Sequence, residues 1–229
     1  MAKSGPAPGA RATRARGGAT KVALVTAAHQ ALRERGYAGA SAREIARRAG
    51  CEQGLVFYHF GSVTGLFAAT LQDVRDRRLA AIGPRLASAG TLPELVDLLR
   101  SIVREDIDSG DLTVLAELMV AARAAPDLAP AVAAVLAPWE EVAATGVRAA
   151  LSGLPLGALV PVEDVAHTLV ALTLGLELLA DSTGGRERVD ALLARAGAAA
   201  GLLGLLMTPT ATDVPAPSQN PTSERGIHE

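Results

Sequence analysis

The sequence is poor in the residues on which secreted proteins and membrane proteins depend. Its single cysteine, Cys51, cannot form an internal disulfide, which is consistent with a reducing compartment. The chain has no uninterrupted run of about eighteen apolar residues, the length of a membrane span, and the apolar stretch 22–28 is too short for a signal peptide. We therefore predict a cytoplasmic protein with no membrane partner.

Sequence motifs for catalysis and for metal binding are also missing. The chain contains neither a phosphate-binding glycine loop nor a nucleophile elbow. The four histidines fall on separate predicted elements, so their spacing does not fit a metal site: His29, His59, His167 and His228. We predict no enzyme activity, no catalytic residue, no cofactor and no metal.

The overall charge of −2 conceals a strong asymmetry along the chain. Residues 1–61 hold 10 Lys and Arg against 3 Asp and Glu, a net charge of +7, whereas the remainder holds 12 against 21, a net charge of −9. A basic module suits phosphate binding, while an acidic body is repelled from nucleic acid and helps to orient that module. A solvated helical surface is the alternative explanation for the arginines.

The apolar residues, 49% of the chain, follow a helical period after residue 62, and no alternating strand pattern is present. We predict an all-α fold. Gly83-Pro84 is expected to break the helix that starts at residue 64, and Pro138 is expected to kink the helix predicted at 127–151. The predicted helices after residue 62 are 64–82 with a continuation to Ala89, 91–108, 112–125, 127–151, 162–181 and 186–206.

Residues 41–62, SAREIARRAGCEQGLVFYHFGS, predict two short helices joined by a four-residue turn. Ser41 is a strong N-cap, and Glu44 completes a capping box. Gly50 accepts the left-handed backbone that ends the first helix, and the second helix is expected over 53–60. The arginines of the first helix are expected to stay in solvent, and Cys51 is read as a packing residue. This geometry places a helix in a DNA major groove, but it also occurs in structural helical corners.

The chain resembles the TetR family of bacterial transcription regulators over roughly residues 20–67. The family pattern runs in order and without gaps through Ala27-Ala28, Gly36-Tyr37, Ser41, Ile45-Ala46, Ala49-Gly50, Gly54, Tyr58-His59-Phe60 and Ser62. The resemblance implies an N-terminal three-helix helix-turn-helix DNA-binding domain. It also implies a larger C-terminal helical regulatory and dimerisation domain, with nine helices in all.

Four segments follow from the composition and the resemblance. Residues 1–19, rich in Gly, Ala and Pro, are predicted to form a disordered basic N-terminal arm, which either follows a DNA groove or is an inert tail. The DNA-binding domain is expected at 20–66 and the ligand-binding and dimerisation domain at 67–207. Residues 208–229, rich in Pro, Thr and Ser, are predicted to be a disordered tail.

Eight residues are candidates for DNA contact. Arg43 and Gln53 are expected to read bases, because Arg pairs with guanine and Gln with adenine. Ser41, Tyr58 and His59 suit phosphate contacts, whereas Phe60 is assigned to the core. The complete candidate set is Ser41, Arg43, Gln53, Gly54, Leu55, Phe57, Tyr58 and His59.

Three positions depart from the family pattern. Leu55 stands where Thr or Ser is usual, Phe57 where Tyr is frequent, and Val63 where a phosphate-contacting Lys is usual. Leu55 can instead touch a thymine methyl group. These changes bear on affinity and target sequence more than on the fold.

The last two predicted helices are richer in small and apolar residues than a monomer surface requires. One explanation is a buried core helix, and the other is a four-helix interface between two copies of the chain. We favour a homodimer, in which two recognition helices about 34 Å apart read a palindrome. In the last helix the residues concerned are Leu192, Leu193, Ala196, Gly197, Ala199, Ala200, Gly201, Leu203, Gly204 and Leu206.

The ligand pocket is weakly indicated, by polar or bulky side chains in a core of Ala, Leu and Val. Each also has a plain structural explanation, namely a surface ion pair, core filling or a solvated position. The candidates are Glu117, Met119, Arg123, Trp139, His167, Thr173 and Glu177.

The sequence thus predicts a homodimeric repressor that binds a palindromic double-stranded operator and is released by a small, mostly apolar effector. Two alternatives remain open at this point. One is a nonspecific DNA-binding protein, and the other is a helical protein-interaction module whose DNA binding is weakened by the departures at Leu55, Phe57 and Val63.

Overall fold

The computed structural model describes residues 8–152, 159–180 and 185–207, with side chains from residue 16 to residue 202 inside those ranges. This part of the chain contains no strand, and the all-α prediction is confirmed. Its helices are α1 Pro8–Gly39, α2 Ala42–Arg48, α3 Gly54–Phe60, α4 Val63–Ser88, α5 Leu92–Ser109, α6 Asp111–Ala121, α7 Ala129–Leu151, α8 Val162–Ala180 and α9 Gly185–Met207, with a 3₁₀ turn at Pro126–Leu128 before α7.

The helix-turn-helix forms as the local sequence predicts. The Ser41 hydroxyl accepts a hydrogen bond from the Glu44 N–H at 3.3 Å and caps α2. Gly50 (φ +65°) makes the turn, and Gly61 (φ +75°) ends α3. Cys51 is half-buried against the core, and burial raises the pKa of its thiol. The prediction that Cys51 packs therefore agrees with its position.

The N-terminal arm differs from its prediction. Helix α1 begins at Pro8, so residues 8–19 are helical, while residues 1–7 lie outside the described part. Alanine and arginine are strong helix formers, and residues 10–16, ARATRAR, extend a helix whose core-facing part starts at Leu24. The prediction of disorder rested on the nearby glycines and the missing apolar period, and neither prevents helix formation here.

Helix α4 also differs from its prediction, because it continues through Gly83-Pro84 to Ser88. Proline removes one hydrogen bond to the carbonyl four residues earlier, here that of Ala80. Ala80 is exposed, so water can satisfy that carbonyl. The same argument applies to α7, which continues through Pro138 beside exposed Ala134.

The smaller boundary differences lie at helix ends. Helix α6 stops at Ala121 instead of residue 125, because residues 122–125 form a hydrogen-bonded turn. Residues 126–128 form the 3₁₀ turn instead of the first turn of α7. Helix α5 is capped by Thr91, whose hydroxyl accepts from the Glu94 N–H, while Glu94 Oε2 accepts from the Gly90 N–H.

One buried cluster connects the helix-turn-helix with the rest of the chain. Ile45 of α2 and Val56 of α3 belong to the same cluster as Leu66 and Leu71 of α4 and Leu115 of α6. Such side chains each contribute about 1.5–3 kcal/mol when fully buried. The helix-turn-helix and the first half of α4 therefore share one core.

Helix α9 is buried on one side only. Val189, Leu193 and Ala200 are buried, and Gly197 lies close to α5, where an added Cβ would be 3.6 Å from Asp97 Oδ1. The opposite side remains exposed. Its described residues include Leu192, Ala196, Ala199 and Leu202, whereas the side chains of Leu203 and Leu206, and Gly204, lie outside the described set.

A test of length and apolarity finds no single helix in the described ranges that could cross a membrane; only the pair α3 and α4, bent by 64°, passes it when the two are counted together.

Candidate nucleic-acid interface and body cavity

One fully buried side chain, that of Val56, anchors helix α3 to the core, and the outer face of the helix is exposed. Val56 is fully buried, so the opposite face of this short helix turns outward. Tyr58 is 80% exposed and Phe57 is 46% exposed. Gln53 and Gly54 at the start of the helix are exposed as well. Aromatic side chains left in solvent at a basic helix-turn-helix indicate a binding surface.

Leu55 and His59 of α3 lie deeper than their predicted DNA contacts require, whereas Phe60 is less buried than its predicted core position implies. Leu55 is half-buried and packs against the core, so only part of it can reach DNA. His59 is half-buried, with its ring 4.9 Å from that of Tyr58. Phe60, predicted as core, is half-buried under the ammonium of Lys21, which lies 5.8 Å from its ring centroid. Val63, the third departure from the family pattern, is half-buried and also packs against the core.

The three arginines of α2 differ in their exposure and in whether a carboxylate binds them. Arg43 is exposed and has no carboxylate within 4 Å in the described part of the chain. Arg48, predicted to stay in solvent, is only 14% exposed and bonds both Glu34 and Glu44 at 2.7 Å. Arg47 is exposed but donates two hydrogen bonds to Glu44. Arg43 is therefore the α2 arginine best placed to contact a ligand.

The Glu44 carboxylate accepts hydrogen bonds from two of these arginines. Hydrogen bonds from Arg47 and Arg48 lower the pKa of its carboxyl from 4.5 to about 2. The carboxylate does not form the second half of the predicted capping box, because these arginines engage both of its oxygens.

We expect the Glu44 carboxyl to titrate near pH 2 in a carbon-detected NMR titration. Because its folded-state pKa is depressed, its stabilising contribution is present above pH 4.5 and is lost as the pH falls toward 2. The Arg47→Ala and Arg48→Ala variants should each move the pKa upward. An ordinary carboxyl pKa in the unmodified protein would contradict this prediction.

A polar seam joins α1 to the body. Asp111 at the start of α6 accepts from His29 Nε2 at 2.7 Å and from two Arg77 nitrogens at 3.1 Å. Burial acts to raise the pKa of the Asp111 carboxyl, but the His29 hydrogen bond and the Arg77 charge hold it below its ordinary range. Next to it, Glu117 Oε2 accepts from the Tyr37 N–H at 2.9 Å. The seam ties α1 to α4 and α6.

A cavity of about 60 Å³ lies in the body beneath α4. It is lined by four helices besides α4, and the lining is almost entirely hydrocarbon. The α4 side chains are Arg78, Leu79, Ile82 and Leu86, and the others are Leu99 and Ile102 of α5, Leu112 of α6, Trp139, Val142 and Ala143 of α7, and Leu169, Val170, Thr173 and Leu174 of α8.

One charged residue interrupts this apolar wall. The guanidinium carbon of Arg78 lies 4.4 Å from the centroid of the Trp139 ring, a cation–π contact. Arg78 also forms an ion pair with Asp106 of α5, and the two side chains are only 10% and 7% exposed. Burial raises the pKa of the Asp106 carboxyl, and the Arg78 charge opposes that rise.

The seven predicted ligand residues fall into two groups. Trp139 and Thr173 line the cavity. The other five do not line it. Glu117 lies in the seam, Glu177 is buried elsewhere on α8, Met119 and Arg123 are exposed, and His167 is exposed with its ring bonded to Glu140.

Arg78 and Asp106 were missed in the sequence, although a helical signal was available. Arg78 follows buried Leu71 and Val74 at positions i, i+3 and i+7, and Asp106 lies one turn after buried Ile102. A charged residue on the apolar stripe of a helix indicates a buried pair or a site. In the described ranges, no group of three His, Cys, Asp or Glu side chains is placed to hold a metal ion.

Comparison with known proteins agrees with this geometry. Residues 24–70 match the family model described as bacterial regulatory proteins, tetR family. An uncharacterized HTH-type transcriptional regulator of Mycobacterium tuberculosis strain H37Rv is 36% identical over 108 residues, which are 45% of this chain and 53% of the relative. The HTH-type transcriptional regulator BetI of Stenotrophomonas maltophilia is 33% identical over 89 residues, 39% of this chain and 44% of BetI. The chain thus spans about half the length of the curated relatives it matches.

The likeness in fold extends further than the likeness in sequence. The crystal structure of a transcriptional regulator from Rhodococcus sp. Rha1 covers 79% of this chain and 95% of its own, with a TM-score of 0.61 and 26% identity. The family-model match lies in the N-terminal helices, and the structural match includes the helical body. Residues 24–70 are thus a TetR-family helix-turn-helix, and the chain as a whole is similar in fold to a bacterial transcriptional regulator of known structure.

Proposed function

We propose that this protein is a cytoplasmic homodimeric repressor that places α3 in the major groove of a palindromic operator and releases it when a small, mostly apolar effector enters the body cavity. The observation that carries this proposal is the uncovered outer face of α3, with Phe57 and Tyr58 in solvent beside exposed Arg43. Among the described residues, neither ring belongs to a buried apolar cluster.

The exposed residues divide by chemistry into base readers and phosphate contacts. Arg43 and Gln53 carry the donors and acceptors that pair with base edges. Ser41, Tyr58 and His59 suit the phosphates that fix the register. The Gly54 position is open, since an added Cβ would meet nothing within 4 Å, and this leaves room for a DNA backbone. Leu55 and Phe57 are then apolar neighbours of the bases.

The proposed dimer is supported by the exposed faces of α8 and α9. Leu172, Leu178 and Leu179 of α8 and Leu192 and Leu202 of α9 are each about half exposed or more. Exposed leucines grouped on neighbouring helices indicate a surface that is buried by a partner. A second copy of the chain places two α3 helices on one side of the duplex.

The proposed release follows from the size and position of the cavity. Its volume of about 60 Å³ is smaller than the roughly 300 Å³ of typical ligand sites, so an effector must move the lining helices apart. Four lining residues belong to α4, which also packs against α1 and α3. An effector that prefers the opened arrangement shifts the population away from the operator-binding spacing, and a ligand with equal affinity for both arrangements does nothing.

Selection of binding sites from a random duplex pool tests the DNA part of this proposal. We expect a palindromic site, retained against excess random DNA, with an affinity that falls steeply as salt rises. Equal competition by random DNA would favour a nonspecific DNA-binding protein. Absence of any salt-dependent binding would favour a protein-interaction module.

Base reading gives a residue-level prediction. We expect Arg43→Ala and Gln53→Ala each to lose roughly 1–3 kcal/mol of binding free energy at the selected site and to relax preference at one base pair per half-site. Arg47→Ala is the matched control, because Glu44 already engages that side chain. Binding is measured on the selected site and on a panel of single-base variants. Equal losses on selected and random DNA would identify Arg43 and Gln53 as phosphate contacts.

A further inference from the structure

Trp139 lines the cavity, and its indole nitrogen is buried without a hydrogen-bond partner in the described part of the chain. This Nε1 atom is buried, and no acceptor within the described residues bonds it. Trp139 itself is only 7% exposed and lines the cavity. A buried donor left unpaired is unfavourable, so a molecule that supplies an acceptor recovers that loss on binding.

The other polar groups of the cavity do not offer the same opportunity. The Thr173 hydroxyl donates its hydrogen to the Leu169 carbonyl at 2.8 Å, which leaves only its acceptor side. The Arg78 guanidinium already has a carboxylate partner in Asp106 and an aromatic partner in Trp139. Arg78 Nη1 and Asp106 Oδ2 are also buried without a hydrogen bond among the described residues, but both are charged and belong to the ion pair. The indole N–H is thus the neutral donor whose hydrogen-bonding capacity a ligand can complete.

The charge balance at the cavity decides which acceptor fits. Arg78 and Asp106 form one positive and one negative charge, both nine-tenths buried. A carboxylate ligand would add a second buried anion beside Asp106, and an ammonium ligand would add a second buried cation beside Arg78. Either leaves an uncompensated charge away from water, which is strongly unfavourable.

We propose that the cavity recognises an uncharged, mostly apolar molecule that bears one hydrogen-bond acceptor, of the ketone or amide carbonyl class, and that this oxygen accepts from Trp139 Nε1–H. The inference rests on the proposed effector role of the cavity and specifies the chemical class of the effector. The hydrocarbon lining from α4, α5 and α8 holds the rest of the molecule.

Four probes built on a five-membered ring test this chemistry on the full-length protein without DNA. Cyclopentanone supplies a carbonyl, methylenecyclopentane replaces that oxygen by CH₂, and cyclopentanecarboxylate and cyclopentylammonium carry a charge. Trp139 is the only tryptophan of the chain, so a ¹⁵N-labelled sample gives a single indole cross-peak that reports this site. We expect cyclopentanone to move the indole proton downfield and methylenecyclopentane to leave it without such a shift. We also expect each charged probe to bind at least tenfold more weakly than cyclopentanone.

The Trp139→Phe variant keeps an aromatic ring under Arg78 but removes the donor. Affinities for both proteins are measured from the backbone amide shifts of Val142 and Thr173, which line the cavity. The ratio of cyclopentanone to methylenecyclopentane affinity should fall about twofold to tenfold in the variant, the value of one neutral hydrogen bond. The smaller phenyl ring of the variant changes the cavity equally for both probes. The ratio of their affinities therefore isolates the loss of the indole N–H donor.

Two results would overturn the inference. One is tighter binding of either charged probe than of cyclopentanone. The other is a ratio that is unchanged in Trp139→Phe. The probe affinities are measured without DNA, so they remain valid even if the protein fails to bind an operator. Conversely, cyclopentanone binding with the expected indole shift but no effect on operator affinity would uphold the class of ligand and refute release through the cavity.

Discussion

The Leu202→Arg variant is expected to be monomeric and to lose operator affinity by about 10²–10⁴-fold, the gain that linking two modules ordinarily provides. Leu202 is 64% exposed on the side of α9 that points away from α5. An arginine there would bury one unpaired charge from each copy in an apolar interface. Each monomer would then hold only a half-site. Sedimentation gives the oligomeric state, and titration of the full palindrome gives the affinity.

Two comparisons separate dimer loss from misfolding. Val120→Arg, at a valine of α6 that is 70% exposed, should leave both dimer and affinity unchanged. Gly201→Leu should weaken the dimer while the protomer stays folded, because an added Cβ at Gly201 meets nothing within 4 Å of it. A stable dimer in Leu202→Arg with native circular dichroism would remove this face of α9 from the interface.

Local signals in the sequence were sufficient for the helix-turn-helix. Ser41 and Gly50 act through their immediate neighbours, since a cap needs a nearby N–H and a turn needs a positive φ. Such features depend on a few adjacent residues and can be predicted without the tertiary structure. The exposed positions of Arg43 and Gln53 follow from the same helical period.

Other features depended on contacts that the sequence does not show. The continuation of α4 past Pro84 rests on the exposure of Ala80, and exposure is set by the packing of the whole body. Arg48 lies next to Glu34 of α1, which is fourteen residues away, so its burial could not be read from α2 alone. Local propensity gives way to tertiary packing at such positions.

The cavity was predicted least well, for a physical reason. Trp139 and Thr173 were selected as polar or bulky exceptions in an apolar chain, and both line it. Arg78 belongs to the charged run Arg75–Arg78, which resembles a solvated helix face. Its ion pair with Asp106, twenty-eight residues further along the chain, gives it a buried position. Tertiary pairing, and not composition, determines which charge of such a run turns inward.

The buried pair of Arg78 and Asp106 leads to the largest expected effect on stability. We expect Asp106→Ala to lower the free energy of unfolding by about 3–5 kcal/mol, because it leaves the Arg78 guanidinium buried without a counterion. In a chain of this size each kcal/mol corresponds to a fall of about 2–4 °C in Tm. Thermal and denaturant unfolding, followed by circular dichroism, measure the change.

The neighbouring pair of Arg85 and Glu105 is the matched control. It joins the same two helices, α4 and α5, at 2.7 Å but is partly exposed, so Glu105→Ala should cost only about 0–1 kcal/mol. The double variant Arg78→Met with Asp106→Leu should recover most of the loss, because it removes both charges and keeps the space filled. If Asp106→Ala were no more harmful than Glu105→Ala, solvent would be reaching Arg78 through the cavity. The charge argument against ionic effectors would then fail together with this prediction.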